Sequence, residues 1–160
     1  MVIERDNTIR TAKVANRELT DHEVKRMETL HSERIESYLD SGAGSCWLRQ
    51  QDIAHVVRDS LFHFDDERYE IIAWCVMPNH VHVVFRPFEG QVLSEILHSW
   101  KSFAAKKANQ LLGRSGEFWQ AEYYDHLIRD EEDFRHAVSY VLENPEKAGL
   151  KGWPWVGLGR

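Results

Sequence analysis

The segment YEIIAWCVMPNHVHVVF (69–85) decides the fold. Tyr69–Val76 is rich in β-branched and aromatic residues, as is His80–Phe85, and only Met77, Pro78 and Asn79 lie between them. The spacing predicts a β-hairpin with a three-residue connection. Successive strand side chains alternate faces, so His80 and His82 project together, about 6.5 to 7 Å apart along the strand. Val81 and Val83 then point into the core, which leaves the two imidazoles on the outer, accessible face. Such a pair can chelate one ion. In a chain with nine His, a chance pair on a solvated face is an equal reading.

Outward from the hairpin, helical spacing predicts helices over 20–39 (Val24, Met27, Leu30, Ile35, Leu39), 51–63 (Ile53, Val57, Leu61) and 92–111 (Leu93, Ile96, Leu97, Trp100, Phe103, Leu111). Glu122–Arg129 alternates like a strand. Asp130 then caps a last helix with Phe134, Ala137, Val138, Val141 and Leu142 as its apolar stripe, and Pro145 is expected to end it at Asn144. Helices interleaved with antiparallel strands make the class α+β, a sheet with helices packed on one face. At 160 residues the chain is read as a single domain, 1–160.

Composition excludes several classes. The chain is 42% apolar, with six Trp, seven Phe and five Tyr, enough to fill a core. No run approaches the roughly 18 apolar residues of a membrane span, and MVIERDNTIRTAK (1–13) is too charged for a secretory leader. The expectation is therefore a cytoplasmic protein with no membrane partner and with Cys46 and Cys75 reduced. Two cysteines cannot build a Cys-rich zinc site. Twenty basic against 26 acidic residues give a net charge of −6, yet residues 91–114 carry four basic residues (Lys101, Lys106, Lys107, Arg114) and a single acidic one, Glu95. One basic segment thus sits inside an acidic chain, either as a solvated helix face or as a site for an anionic partner.

The last predicted helix carries a second polar stripe. Tyr140 and Asn144 lie four residues apart and share a face, with His136 one turn earlier. A Tyr packed at the edge of the core explains the same spacing. Tyr123 and Tyr124, on the predicted strand, are alternative tyrosines for any chemistry at the His pair.

The strings WCVMPNHVHVVFRP (74–87) and FWQAEYYDHLIRDEEDFRHAVSYVLENPEKAGL (118–150) resemble the single-tyrosine HUH transposases, in particular REP-associated tyrosine transposases. HSWKSFAAKKAN (98–109) resembles the basic helix of that branch and DSGAGSCWL (40–48) its upstream loop, so the resemblance covers about residues 36–155 in three ordered blocks. HUH denotes His, a hydrophobic residue and His, here His80-Val81-His82, and the branch's YxxxN motif falls on Tyr140 to Asn144. The pattern is broken at the front. Such proteins usually begin with a hydrophobic strand, whereas residues 1–19 show only the weak alternation of Ile9, Ala12 and Val14.

The resemblance implies a ferredoxin-like antiparallel sheet of the HUH endonuclease type. It implies a metal-dependent single-strand DNA endonuclease and strand transferase acting at hairpin-forming palindromes. Tyr140 would be the nucleophile, forming a 5′-phosphotyrosine, and His80, His82 and Asn144 would hold a divalent metal. Mg²⁺ or Mn²⁺ suits an open site of neutral ligands, although imidazoles alone favour Zn²⁺. Lys101, Lys106, Lys107, Arg114, Trp119 and Arg129 are the expected DNA contacts, the cations positioning phosphates and Trp119 or Arg129 stacking on or pairing with single-stranded nucleotides. The family includes homodimers as well as monomers. A non-catalytic DNA-binding descendant is the alternative reading, and an unrelated HxH metalloenzyme the more distant one.

Overall fold

The β-branched and aromatic runs form the hairpin they predict. In the computed structural model, which describes Thr20, residues 45–120, Tyr123 and residues 125–160, strand β1 (Tyr69–Val76) pairs antiparallel with β2 (Val81–Pro87). The helix expected over 20–39 and the front segment 1–19 lie outside the described residues, so the single-domain reading of 1–160 extends beyond them. All elements below belong to the unit Gly44–Arg160.

Cys75 stands opposite His82 and Trp74 opposite Val83, with a register shift between Ile71 and Ala73. Ile72 is the bulged residue, and a bulge inverts the alternation beyond it. Tyr69, Ile71, Trp74 and Val76 therefore face one core, while Ala73, Cys75 and Met77 face the other. A third strand, β3 (Val156–Leu158), pairs antiparallel with the free edge of β1, giving the order β2-β1-β3. Three residues are too few to show a period, which is why the sequence reading did not identify it.

Helix α1 (Gln51–Phe62) and helix α2 (Leu93–Leu111) cover the first face. Ile53, Ala54, Val57 and Leu61 of α1 and Ile96, Trp100, Ala104 and Ala108 of α2 pack with Tyr69, Ile71, Val81, Val83 and Phe85 of the hairpin. Burying large apolar side chains of this kind contributes about 1.5 to 3 kcal/mol each. The buried Tyr69 hydroxyl donates to the Leu61 carbonyl at 2.8 Å and accepts from Trp100 Nε1 at 2.6 Å, joining β1 to both helices.

Helix α3 (Glu131–Lys147) covers the opposite face, where Phe134, Ala137, Val138 and Val141 pack on Ala73, Cys75 and Val84. Asp130 caps it as expected, its carboxylate accepting from the Asp133 backbone N–H at 2.8 Å. The α+β class and the antiparallel sheet thus agree with the sequence reading, but helices lie on both faces rather than one. The sheet has two apolar faces, and the α3 stripe needs one of them.

Two further expectations are corrected. Pro145 does not end α3, which continues to Lys147. In the last turn a missing N–H forfeits one intrahelical bond, and the Ala148 and Leu150 amides still close on the Asn144 and Pro145 carbonyls. Residues 125–129 of the predicted strand 122–129 form no strand. The Asp133 carboxylate draws them onto the start of α3 instead, accepting from His126 Nε2 at 3.0 Å and from the Arg129 backbone N–H at 3.1 Å.

Candidate active site

His80 closes the four-residue connection Met77–His80 and His82 lies on β2. The connection is tied down from several sides. Met77 N–H donates to the His80 carbonyl at 2.8 Å, and the Pro78 carbonyl accepts from Leu48 N–H at 3.1 Å, in the 3₁₀ turn Trp47–Arg49. Just before it, Val76 donates its N–H to the Trp155 carbonyl at 2.8 Å and accepts from Trp153 Nε1 at 2.8 Å. Cross-links of this density hold the backbone that carries the two imidazoles.

The imidazoles do project to one face, but that face is not open. It lies under α3, and His80 is only 8% exposed. Their Nε2 atoms approach to 2.9 Å, and His80 Nδ1 lies 2.8 Å from Asn79 Oδ1. Burial lowers His80 to about 4; burial, with His80 alongside, lowers His82 to about 3. Both rings are therefore neutral at pH 7, the state that leaves a lone pair for a ligand.

Helix α3 brings Tyr140 to the pair. Its ring stands edge-on to His82, with centroids 5.3 Å apart and planes at 90°. One turn on, Asn144 is 3% exposed, and its Oδ1 has no hydrogen-bond partner among the described residues. A buried amide oxygen without a donor is costly, and an ion or an ordered water is the usual reason for one. Two converging imidazole nitrogens and an unsatisfied carbonyl oxygen make a neutral donor set that fits a divalent cation. Among the described residues no group of three His, Cys, Asp or Glu could hold a metal.

The remaining candidates separate. Lys106 and Lys107 are exposed on α2. Lys101 is half-buried, and its Nζ donates to the Gln120 carbonyl at 2.7 Å, while Trp119 Nε1 donates to the Lys101 carbonyl at 3.0 Å. Those two side chains stitch α2 to the segment that follows it. Arg114 lies over the Trp47 ring at 5.6 Å and donates to the Glu117 carbonyl. Arg129 is exposed ahead of α3; Tyr123 is 53% exposed, and Tyr124 lies outside the described residues. The apolar face of α2 packs on the sheet side opposite the His pair. His136 is exposed.

Sequence reasoning missed Lys147, whose Nζ sits 5.9 Å from the Tyr140 ring centroid while pairing with Glu143 at 2.9 Å. The signal was its place two helical turns after Tyr140. It also missed Asn79, which sat inside the quoted hairpin without a role.

Residues 49–144 match the family described as "Transposase IS200 like". The chain is 32% identical over 94 residues to the REP-associated tyrosine transposase of Escherichia coli (strain K12), covering 56% of this chain and 54% of that protein. It is 28% identical over 109 residues to the Putative REP-associated tyrosine transposase of Haemophilus influenzae (strain ATCC 51907 / DSM 11121 / KW20 / Rd), covering 58% and 60%. The matches thus span somewhat over half the length of these curated relatives. Among solved structures, a REP-associated tyrosine transposase bound to a REP hairpin matches with a TM-score of 0.56 and 28% identity, covering 71% of this chain and 68% of that one.

Proposed function

The chain belongs to the IS200-like transposase family, and from that premise we propose that it is a metal-dependent single-strand DNA endonuclease and strand transferase with Tyr140 as nucleophile. The observation that carries this reading is the meeting, within one chain, of the Tyr140 ring with His82 of the His80–His82 pair, with the buried, unsatisfied Asn144 oxygen one turn further along the same helix. By similarity to the relative solved with a REP hairpin, hairpin DNA is the proposed substrate.

Tyr140 Oη attacks phosphorus, the bond to the 3′-oxygen breaks, and a 5′-phosphotyrosine forms. The phenol proton passes to solvent, and the departing 3′-oxygen takes one up. A divalent ion, Mg²⁺ or Mn²⁺, held by His80, His82 and Asn144 would supply charge relief at the phosphate oxygens and at the leaving group. A phenol with an ordinary pKa near 10 needs about 4 kcal/mol to ionise at pH 7. The covalent link conserves the energy of the broken bond for rejoining, which a water nucleophile would forfeit.

Lys106 and Lys107, exposed on α2, are proposed to contact phosphates, with Arg114 and Arg129 nearer the segment leading to α3. Lys101 and Trp119 support that segment from beneath. Incubating a labelled hairpin oligonucleotide bearing a single-stranded flank with the protein and Mn²⁺ tests the reading. Nicking that His80→Ala and His82→Ala abolish, while hairpin binding stays within a few-fold, is the expected result. Binding without nicking by the unaltered protein would overturn it in favour of a non-catalytic DNA-binding protein.

A further inference from the structure

We propose that Asn79 is a positioning residue: its side-chain carbonyl fixes the tautomer of His80 so that Nε2 is presented bare to the cation. The inference rests on the metal reading above and deepens it.

A carboxamide oxygen can only accept, so the 2.8 Å contact of Asn79 Oδ1 with His80 Nδ1 requires a proton on Nδ1. An imidazole that ligates a cation carries a single N–H, here the one on Nδ1 that Asn79 accepts. Its Nε2 therefore holds a lone pair. The 2.9 Å contact between the two Nε2 atoms then has one consistent assignment, with His82 Nε2–H as donor and His80 Nε2 as acceptor. The metal-free pair is locked in a defined state by Asn79. Were a cation held there, His80 would need no rearrangement, whereas His82 would have to carry its proton on Nδ1 rather than Nε2, with the proton count unchanged. Metal-bound histidines commonly donate their second N–H to an oxygen in this way, and removing that oxygen lowers metal affinity about 10- to 100-fold.

The geometry supports a positioning role rather than a merely structural one. Asn79 is half-buried at the tip of the connection. The backbone of that connection is held independently by the Met77–His80 and Leu48–Pro78 hydrogen bonds, neither of which uses the Asn79 side chain. Replacing the side chain should leave the backbone in place and change which His80 nitrogen carries the proton.

Three variants are compared with the unaltered full chain: Asn79→Leu, which removes the acceptor at similar size; Asn79→Asp, which restores an acceptor; and His82→Ala as a ligand control. One readout is the ¹⁵N spectrum of the metal-free protein, in which His80 should show Nδ1 protonated and Nε2 bare. The other is Mn²⁺ affinity, measured without DNA. We expect Asn79→Leu to mix the two His80 tautomers and to weaken Mn²⁺ binding about 10- to 100-fold, with Asn79→Asp restoring both. Asn79→Leu binding Mn²⁺ within two-fold of the unaltered protein, or a His80 protonated on Nε2 in that protein, would overturn the assignment while leaving the metal site standing. Failure of the unaltered protein to bind Mn²⁺, or undiminished binding by His82→Ala, would overturn the metal site and this proposal with it.

Discussion

The Tyr140 ring meets the His82 imidazole edge to face at 5.3 Å, so the side chain proposed to attack and a side chain proposed to hold the ion belong to one packed contact. Tyr140→Phe removes one oxygen and keeps that ring contact. The variant should melt within about 1 kcal/mol of the unaltered protein, because ring packing carries the aromatic contact. It should also lose every SDS-resistant adduct with a suicide hairpin substrate. In the unaltered protein the adduct should map to a peptide within residues 136–147. Mapping to Tyr123 or Tyr124 would move the nucleophile off α3.

Asn144 separates metal binding from folding. Its Oδ1 makes no hydrogen bond within the described residues, so truncation to Ala removes an unsatisfied acceptor rather than a bond. The ion-dependent part of stability should respond instead. A ligand at 100 times its dissociation constant adds about 2.7 kcal/mol, and each tenfold loss of affinity subtracts about 1.4 kcal/mol of that. Thermal melts with and without Mn²⁺ should therefore show a smaller Mn²⁺-induced shift for Asn144→Ala. An equal shift would remove Asn144 from the ligand set.

The hairpin, the bounds of α1 and α2 and the shared face of Tyr140 and Asn144 were legible because each rests on a local period or spacing. What was not legible depends on tertiary structure. His80 and His82 read as solvent-facing because alternation tells which residues share a face, not what covers it; α3 covers this one. Residues 125–129 alternated like a strand, but the Asp133 carboxylate offered their polar groups nearer partners. Pro145 read as a stop because proline restricts the residue before it, yet so near the helix end its missing N–H forfeits a single intrahelical bond. Lys101 read as a phosphate-contacting cation of a basic helix, whereas the Gln120 carbonyl that it meets is 19 residues away in sequence.

Gly159 tests whether β3 supports the site. Its N–H donates to the Ile72 carbonyl at 2.9 Å, and a Cβ there would overlap the Ile71 carbonyl oxygen. That oxygen is backbone at the bulge and cannot rotate away. Gly159→Ala should destabilise the protein by about 1 to 3 kcal/mol through this overlap. Amide exchange at Trp74 and Val76, the β1 residues whose N–H groups point toward the β3 edge, should quicken. Unchanged protection at both would mean that the edge strand yields without cost.

Lys106 and Lys107 stand exposed on the side of α2 that the core leaves to solvent, while Lys101 is held by a backbone carbonyl. This difference predicts unequal roles within one basic helix. Replacing Lys106 and Lys107 with Ala should leave the melting temperature nearly unchanged and weaken hairpin binding. The slope of log affinity against log salt should become shallower by about 0.7 for each single-strand phosphate no longer neutralised, or about 0.9 on duplex, because fewer counterions are released. Lys101→Ala should instead lower stability by removing the bond to Gln120, with a smaller change in slope. Nicking rate at saturating DNA should survive the Lys106 and Lys107 substitutions, since these side chains position phosphates away from the reacting one. Slopes that are unchanged in the double variant and shallower in Lys101→Ala would reverse the assignment, making Lys101 the phosphate-binding residue.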